Sequence, residues 1–255
     1  MQPTRALLVA RIGLAVAASA MLAGSPAYAQ SWPSVLPPPW VSPAEPAAPF
    51  PEPSFRPSDE DDGVGGFYPL DPIPRETSGS GSLRCPEVEL VGYRGEVVPL
   101  RGGARVHPAF REKIRRLEAI VRDTAIEIYG RAPTGMRLMG TYTCRRIRRI
   151  DGLISEHAFG NAIDVSGFDF ARAPAGSSAP SGDPRLSRAF RVTVARHWNA
   201  TNGQSVDAVH SRFLRRLIAN VLGAPSLFRV VIGPADPDHW NHFHFDSAPY
   251  HYVRI

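Results

Sequence analysis

Two short segments of the chain concentrate side chains that could ligate a metal ion. In residues 155–165, His157 and Asp164 lie seven positions apart, with Gly160 between them. Glycine permits a tight turn, so a loop that holds His157 and a strand that begins near Ala162 can direct both side chains to one place. The segment therefore predicts two ligands of a single site.

The second segment, residues 239–246, has the pattern of a strand with one polar and one apolar face. A period of two places His242, His244 and Asp246 on one face and the two intervening phenylalanines on the other. The polar face is predicted to meet the site, and the apolar face to pack in the core.

Two imidazoles and one carboxylate, from His157, His244 and Asp164, form a set typical of catalytic zinc, in which water takes the fourth position. A structural zinc site is usually closed by four protein ligands, often thiolates. The combination of both segments indicates a metal site more strongly than either alone. Asp246, Ser155 or a backbone carbonyl is predicted to bind the outer ring nitrogens. Another divalent ion with similar ligand preference also fits.

Hydrophobic periodicity predicts the elements that must position these residues. Residues 106–129 carry apolar side chains at helical spacing and end at Gly130, and a second helix is predicted for residues 211–222. Strands are predicted at residues 137–143, 228–232 and 241–246. The pattern favours an α+β fold in which helices pack on a small antiparallel sheet.

The N-terminus has the pattern of a secretory signal peptide. Arg5 and Arg11 precede an apolar run at residues 12–22, and small residues lead to a cleavage position after Ala29. The run is too short for a bilayer core of about 30 Å, which favours a cleaved signal over a membrane anchor. Residues 1–29 are therefore predicted to be removed, and no later stretch is long and apolar enough to span a membrane.

Residues 30–82 are predicted to form a disordered, Pro-rich spacer. Of the 26 prolines in the chain, 13 lie in residues 31–75, beside an acidic patch at residues 59–62. Such a composition buries too little apolar area to offset the entropy of ordering the chain. A tether and a plain linker are both compatible with it. Residues 83–255 are predicted to form one folded domain.

Cysteine content and charge bear on compartment and partners. In an exported chain an even number of thiols usually pairs, so Cys85 and Cys144 are predicted to form a disulfide, with two unpaired thiols as the alternative. A net charge of +5 indicates attraction to anionic polymers such as wall glycans. Nucleic acid is not an expected partner, because export removes the protein from it and the arginines of residues 145–149 lack interleaved aromatics.

The two ligand segments resemble the hedgehog/DD-peptidase fold, a group of zinc peptidases that includes D-alanyl-D-alanine carboxypeptidases. The stretch from residue 85 to the C-terminus resembles more closely the bacterial extensin-like C-terminal domain family. This second resemblance is carried by Thr-Tyr-Thr-Cys-Arg before Ser-Glu-His in residues 141–157, and by Ile-Gly-Pro before His-Phe-His in residues 232–244. It covers about two thirds of the chain and none of the spacer.

The resemblance implies that His157, Asp164 and His244 ligate one zinc ion. It implies further that His242 lies nearby, as a proton-transfer or transition-state group. Arg145 would bind a substrate carboxylate or the developing oxyanion, a role that suits a forked and permanently charged group.

Alternatives remain open at the flanking positions. A surface arginine in a basic run is the alternative for Arg145, and a simple turn role is the alternative to a substrate contact for Ser155. Asn241 departs from the resemblance, because D-Ala-D-Ala peptidases place a glutamate there as general base. A base must then come from another residue. The candidates are His242, Asp238, His239 and Glu156.

The predicted function is that of an exported zinc-dependent peptidase or amidase that acts on peptidoglycan peptides by attack of metal-activated water. Its expected location is the periplasm or envelope of a bacterium. The alternative, which Asn241 favours, is a non-catalytic zinc-containing module that binds the envelope. A third possibility is an accessory protein that regulates another hydrolase through its Pro-rich arm. The pattern leaves open which bond is cut and how the chain oligomerises.

Overall fold

A computed structural model of the protein describes residues 68–78, 81–150, 152–177, 180, 182–200 and 205–255. Residues 1–67 lie outside these ranges, and with them the predicted signal peptide and most of the predicted spacer.

The described chain contains β-strands, α-helices and short 3₁₀ helices. The strands are β1 (Val91–Tyr93), β2 (Leu100–Arg101), β3 (Ala104–Val106), β4 (Gly135–Gly140), β5 (Ala162–Phe170), β6 (Phe190–Thr193), β7 (Val230–Ile232), β8 (Phe243–Asp246) and β9 (Tyr252–Arg254). The α-helices are α1 (Pro108–Tyr129), α2 (Val194–His197) and α3 (Val206–Leu222). Short 3₁₀ helices span Glu156–Phe159, Pro184–Ser187 and Pro237–His239.

Seven strands form one mixed sheet in the order β2-β4-β5-β8-β7-β9, with β6 paired to β5. Strand β5 lies at its centre, antiparallel to β4 on one side and to β8 and β6 on the other. The β7–β8 pair is also antiparallel, whereas the outer β2–β4 and β7–β9 pairs are parallel. Strands β1 and β3 form a separate antiparallel pair. The predicted α+β class is confirmed, and the sheet is antiparallel at its centre with parallel pairs at both ends.

Both long helices were predicted, with different accuracy at their starts. Helix α1 begins where the Nδ1 atom of His107 accepts from the backbone N–H of Ala109, and it ends at Gly130, whose φ of 70° is left-handed. Helix α3 begins at Val206, five residues before the predicted start, because Ser205 caps it by accepting from the backbone N–H of Ala208.

The hydrophobic core lies between the sheet and helices α1 and α3. Phe168 of β5 and Phe213 of α3 meet edge to face, with ring centroids 5.2 Å apart. Ile163 and Val165 of β5 belong to the same buried cluster, as do the two phenylalanines of β8. Because side chains alternate along a strand, Asp164 of β5 lies on the opposite face.

Residues 68–78, predicted as part of the spacer, pack against the domain. Arg75 is buried, and its carbonyl accepts from the backbone N–H of Ile154 at 2.8 Å. Arg229 donates to both carboxylate oxygens of Asp71, at 2.6 and 3.0 Å. The packed region therefore begins before the predicted domain boundary, because a few anchoring side chains suffice to fix a segment rich in proline.

Two further observations concern the compartment. Cys85 and Cys144 form the predicted disulfide, with Cα atoms 5.7 Å apart. This bond fits an exported protein. No helix in the described ranges has both the length and the apolar character needed to cross a membrane.

Candidate metal centre

Three different elements bring the predicted ligands together. His157 lies in the 3₁₀ helix Glu156–Phe159, Asp164 in β5 and His244 in β8. Asp164 and His244 are direct partners in the β5–β8 register, so their side chains share a face. Gly160 ends the 3₁₀ helix at a left-handed φ of 62°, which returns the chain into β5 as predicted.

The candidate ligand atoms form a small triangle. His157 Nε2 lies 3.2 Å from Asp164 Oδ2, and His244 Nδ1 lies 2.9 Å from Asp164 Oδ1. The two ring nitrogens are 3.3 Å apart. Zinc–ligand bonds of about 2.0–2.1 Å in tetrahedral geometry place ligand atoms about 3.3 Å from each other. The spacing of the two nitrogens is therefore that of two ligands of one zinc ion, and each nitrogen lies near a different oxygen of the Asp164 carboxylate.

The outer hydrogen bonds of both rings turn lone pairs toward this triangle. Nδ1 of His157 contacts the carbonyl oxygen of Thr141, which can only accept, so this nitrogen carries the proton and Nε2 has the lone pair. Nε2 of His244 lies 2.7 Å from Asp246 Oδ2 and donates in the same way. Two lone pairs and a carboxylate repel one another unless a proton or a cation lies between them. Ligating histidines are usually held by such outer partners.

The carboxylates make the centre attractive to positive charge. Burial lowers the pKa of His244, but hydrogen bonds with Asp164 and Asp246 outweigh burial and raise this pKa to about 10. Burial raises the pKa of Asp164, but its contacts with His157 and His244 outweigh burial and hold it well below the usual range. A proton on His244 Nδ1 and a metal ion at that nitrogen are therefore alternatives.

His242 lies beside the triangle, with Nε2 at 3.7 Å from Asp164 Oδ1. Its Nδ1 lies 2.8 Å from the amide oxygen of Asn241, which accepts the proton and leaves the Nε2 lone pair on the site side. Burial lowers the pKa of His242 to about 4 despite the opposing Asp164 carboxylate, so the ring is neutral near pH 7. Asn241 thus fixes the tautomer of His242, a role that the sequence had not indicated.

His239 is a second histidine at the same place. Its ring centroid lies 4.9 Å from that of His242 and 5.6 Å from that of His244. Its Nδ1 lies 2.9 Å from Asp236 Oδ1. Two of the four predicted base candidates are therefore close to the candidate ligands.

The two acidic base candidates are held in ion pairs. Glu156 binds Arg75 through both carboxylate oxygens, at 2.8 and 3.2 Å, and also accepts from Asn161. Asp238 pairs with Arg149 at 2.8 Å. These contacts favour structural roles for both carboxylates.

Ser155 and Arg145 lie at the base of the turn that carries His157. Ser155 is buried and caps this turn, accepting from the backbone N–H of His157 at 3.4 Å. The carbonyl of Arg145 accepts from the backbone N–H of Ser155, while its exposed guanidinium donates to the carbonyl of Arg146 at 3.5 Å. Ser155 therefore shapes the turn, and a substrate contact for Arg145 stays a prediction.

Residues 74–180 match the family model Extensin-like protein C-terminus. This extensin-like segment contains His157 and Asp164 and ends before His244. Neither the comparison with curated proteins nor the comparison with solved structures found a match.

A second group that could hold a metal ion, His197, Asp207 and His210, lies outside the extensin-like segment. His197 Nδ1 lies 2.9 Å from the backbone nitrogen and 3.0 Å from the carbonyl oxygen of Thr193, and its Nε2 faces Asp207 at 3.6 Å. His210 Nδ1 bonds to the hydroxyl of Tyr129 at 2.9 Å. The sequence analysis missed this group, although the spacing of Asp207 and His210 places both on one face of a helix.

Proposed function

We propose that the protein is an exported zinc hydrolase that cleaves peptide bonds of the bacterial cell wall, with His157, Asp164 and His244 as ligands. The observation that carries the proposal is the pair of ring nitrogens whose lone pairs face one carboxylate at distances suited to zinc. Nitrogen ligands favour zinc over magnesium or calcium, which prefer oxygen. The proposal includes the relation to the hedgehog/DD-peptidase fold.

The first group is a better metal site than the group around His197. In the first group, both outer nitrogens meet acceptors, Thr141 O and Asp246 Oδ2, so both inner nitrogens are free to ligate. In the second group, His197 Nδ1 contacts both the N–H and the carbonyl oxygen of Thr193, so no single outer partner turns a lone pair toward the other ligands. The carboxylate of Asp207 is also 41% exposed, against 14% for that of Asp164.

When bound, a zinc ion would polarise the substrate carbonyl and lower the pKa of a water molecule. His242 is placed to accept the proton of that water, because its ring is neutral and its free nitrogen faces the site. Asn241 holds this ring by accepting from Nδ1. Arg145, at the base of the turn, is the proposed partner of a substrate carboxylate.

Support for a cell-wall substrate comes from three features of the chain. The extensin-like segment agrees with the resemblance that implies this substrate class. The disulfide fits export, and the net charge of +5 favours anionic wall polymers. The periplasm or envelope is accordingly the proposed location.

Metal content tests the ligand set. After dialysis, the unmodified protein should retain about one zinc ion per chain, and His244→Ala should retain almost none. His210→Ala is the matched control, since it removes a buried histidine from the second group, and it should retain the zinc. Loss of zinc in His210→Ala but not in His244→Ala would place the metal in the second group.

Turnover of purified muropeptides, with and without chelator, tests the reaction. His242→Gln should keep its zinc but lose about 10²–10⁴-fold in kcat, the usual contribution of a general base. Stoichiometric zinc without turnover in the unmodified protein would instead support the non-catalytic binding module.

A further inference from the structure

An open groove of about 760 Å³ lies beside the candidate metal centre, between the β1–β3 pair, the start of α1 and the residues after β4. Its lining contains Arg94, Arg105 and Arg111 and a single carboxylate, Glu96. The groove therefore has an excess of positive charge, in a chain whose overall charge is modest.

The guanidinium groups of this lining are poorly neutralised by the fold. Among the described residues, neither Arg94 nor Arg105 takes part in an ion pair, and the Arg105 guanidinium lies 5.5 Å from the ring centroid of Tyr142. Arg111 contacts Glu112 at 3.3 Å through Nη2, while its buried Nε has no hydrogen-bond partner in the described chain. Guanidinium groups with unpaired N–H donors are suited to binding carboxylates from outside.

Thr141 connects the groove to the metal centre. Its carbonyl accepts from Nδ1 of the ligand candidate His157, and its hydroxyl accepts from the backbone N–H of Arg105 at 3.4 Å. Thr141 also lines the groove. Thr141 therefore links the lining of the groove directly to one candidate ligand.

Gly92 keeps part of the groove open. It lies in β1 with a φ outside the left-handed range, and a Cβ built there would meet no atom within 4 Å. Neither backbone conformation nor crowding inside the fold calls for glycine at this position. A larger side chain could stand there without disturbing the strand, and it would take up groove volume.

We infer that this groove is a subsite for the carboxylates of an acidic substrate peptide. The inference rests on the proposed function for the cleavage of the bound peptide, but binding of the peptide to the groove does not require catalysis. Arg94, Arg105 and Arg111 bind the carboxylates, and Gly92 leaves room for the peptide backbone. The subsite selects peptides whose acidic groups lie a few residues from the cleaved bond.

Fluorescence anisotropy with two labelled stem tetrapeptides tests the subsite on the whole protein. One peptide keeps its carboxylates and the other has them amidated. The acidic peptide should bind roughly tenfold more tightly at low salt, and added salt should reduce this preference because it screens exposed charges. Arg94→Met combined with Arg111→Met, and separately Gly92→Leu, should abolish the preference or the binding.

Arg122→Met is the matched control, since Arg122 lies on the same helix eleven residues from Arg111, about 16 Å away. It should keep the preference. Equal binding of both peptides by the unmodified protein, or a preference that survives in the double variant, would overturn the inference. So would displacement by an anionic polysaccharide at lower concentrations than by the acidic peptide. A preference that depends on the groove, in a protein without turnover, would leave the subsite standing and reject the proposed hydrolase.

Discussion

Replacing Arg75 by methionine is expected to destabilise the domain strongly, because it leaves Glu156 buried without its partner. The two side chains are 7% and 3% exposed, and the guanidinium donates to both carboxylate oxygens of Glu156. The guanidinium also lies 4.5 Å from the ring centroid of Phe159. Methionine retains part of this apolar contact but supplies no donor.

Removal of one partner of a buried ion pair costs about 3–5 kcal/mol. In a domain of this size each kcal/mol lowers Tm by about 2–4 °C, so Arg75→Met should lower Tm by roughly 6–20 °C. Arg75→Met combined with Glu156→Gln should recover at least about half of the loss, since no unpaired charge remains buried.

Thermal and denaturant unfolding followed by circular dichroism, with the disulfide intact, measures these losses. The ion pair between Arg115 and Glu112 is the control, because both side chains are 51% exposed although the atoms are 3.0 Å apart. Arg115→Met should leave Tm almost unchanged, because exposed ion pairs contribute little to stability. If Arg75→Met lowers Tm no more than Arg115→Met does, the ion pair between Arg75 and Glu156 does not hold the turn that carries His157, and the reasoning fails.

Four further outcomes are expected. Zinc affinity should rise about tenfold per pH unit from pH 6 to 8, because zinc displaces a proton from His244, whose pKa is about 10. Calorimetry in several buffers counts that proton. A zinc affinity that does not change with pH would contradict the ligand assignment. Without metal, the proton on His244 stabilises the folded state. This contribution to stability is fully present below pH 6.5 and is lost as the pH rises through about 10. Gly140→Ala should weaken zinc binding by roughly tenfold or more, because the added Cβ would lie 2.7 Å from Asp164 Oδ2. Gly92→Ala is the control, since a Cβ at that position meets no atom within 4 Å, and it should bind zinc normally. Competition with a chelator measures both affinities. Reduction of the disulfide, which joins positions 59 residues apart, should lower the free energy of unfolding by about 4 kcal/mol. Denaturant titration measures this loss, and an unchanged unfolding midpoint would argue against a contribution of the disulfide to stability.

The sequence predicted the elements whose apolar residues repeat regularly along the chain. Helix α1 and the alternating strand β8 follow this rule, since each position reports whether it faces the core. Strand β4 was placed at residues 137–143 but spans Gly135–Gly140. After Gly140 the chain leaves β5 and bonds to the turn instead, where the backbone N–H of Thr143 donates to the carbonyl of His157 at 3.1 Å. Apolar alternation alone does not record such a change of partner.

The candidate ligands could be predicted from the sequence because each lies in a short motif that is recognisable by itself. The contacts that hold the ligands in place could not be predicted, because these contacts join positions that are far apart in the sequence. Arg75 and Glu156 are 81 residues apart, and Thr141 supports His157 through a backbone carbonyl that no side-chain pattern reveals. The proline content of residues 68–78 also concealed the few side chains that anchor this segment.

The unequal supports of the three candidate ligands have a consequence for the speed of metal exchange. Asp164 and His244 lie on paired central strands, which open only when much of the sheet opens. His157 lies on a single turn, and Arg75 ties this turn to the segment of residues 68–78 through Glu156. Release of that segment would free one ligand and leave two in place, so metal should enter and leave by this step. The rate at which a chelator removes the metal would then be limited by release of residues 68–78 from the domain. This rate should not depend on chelator concentration once the chelator is in excess, and it should be higher in Arg75→Met.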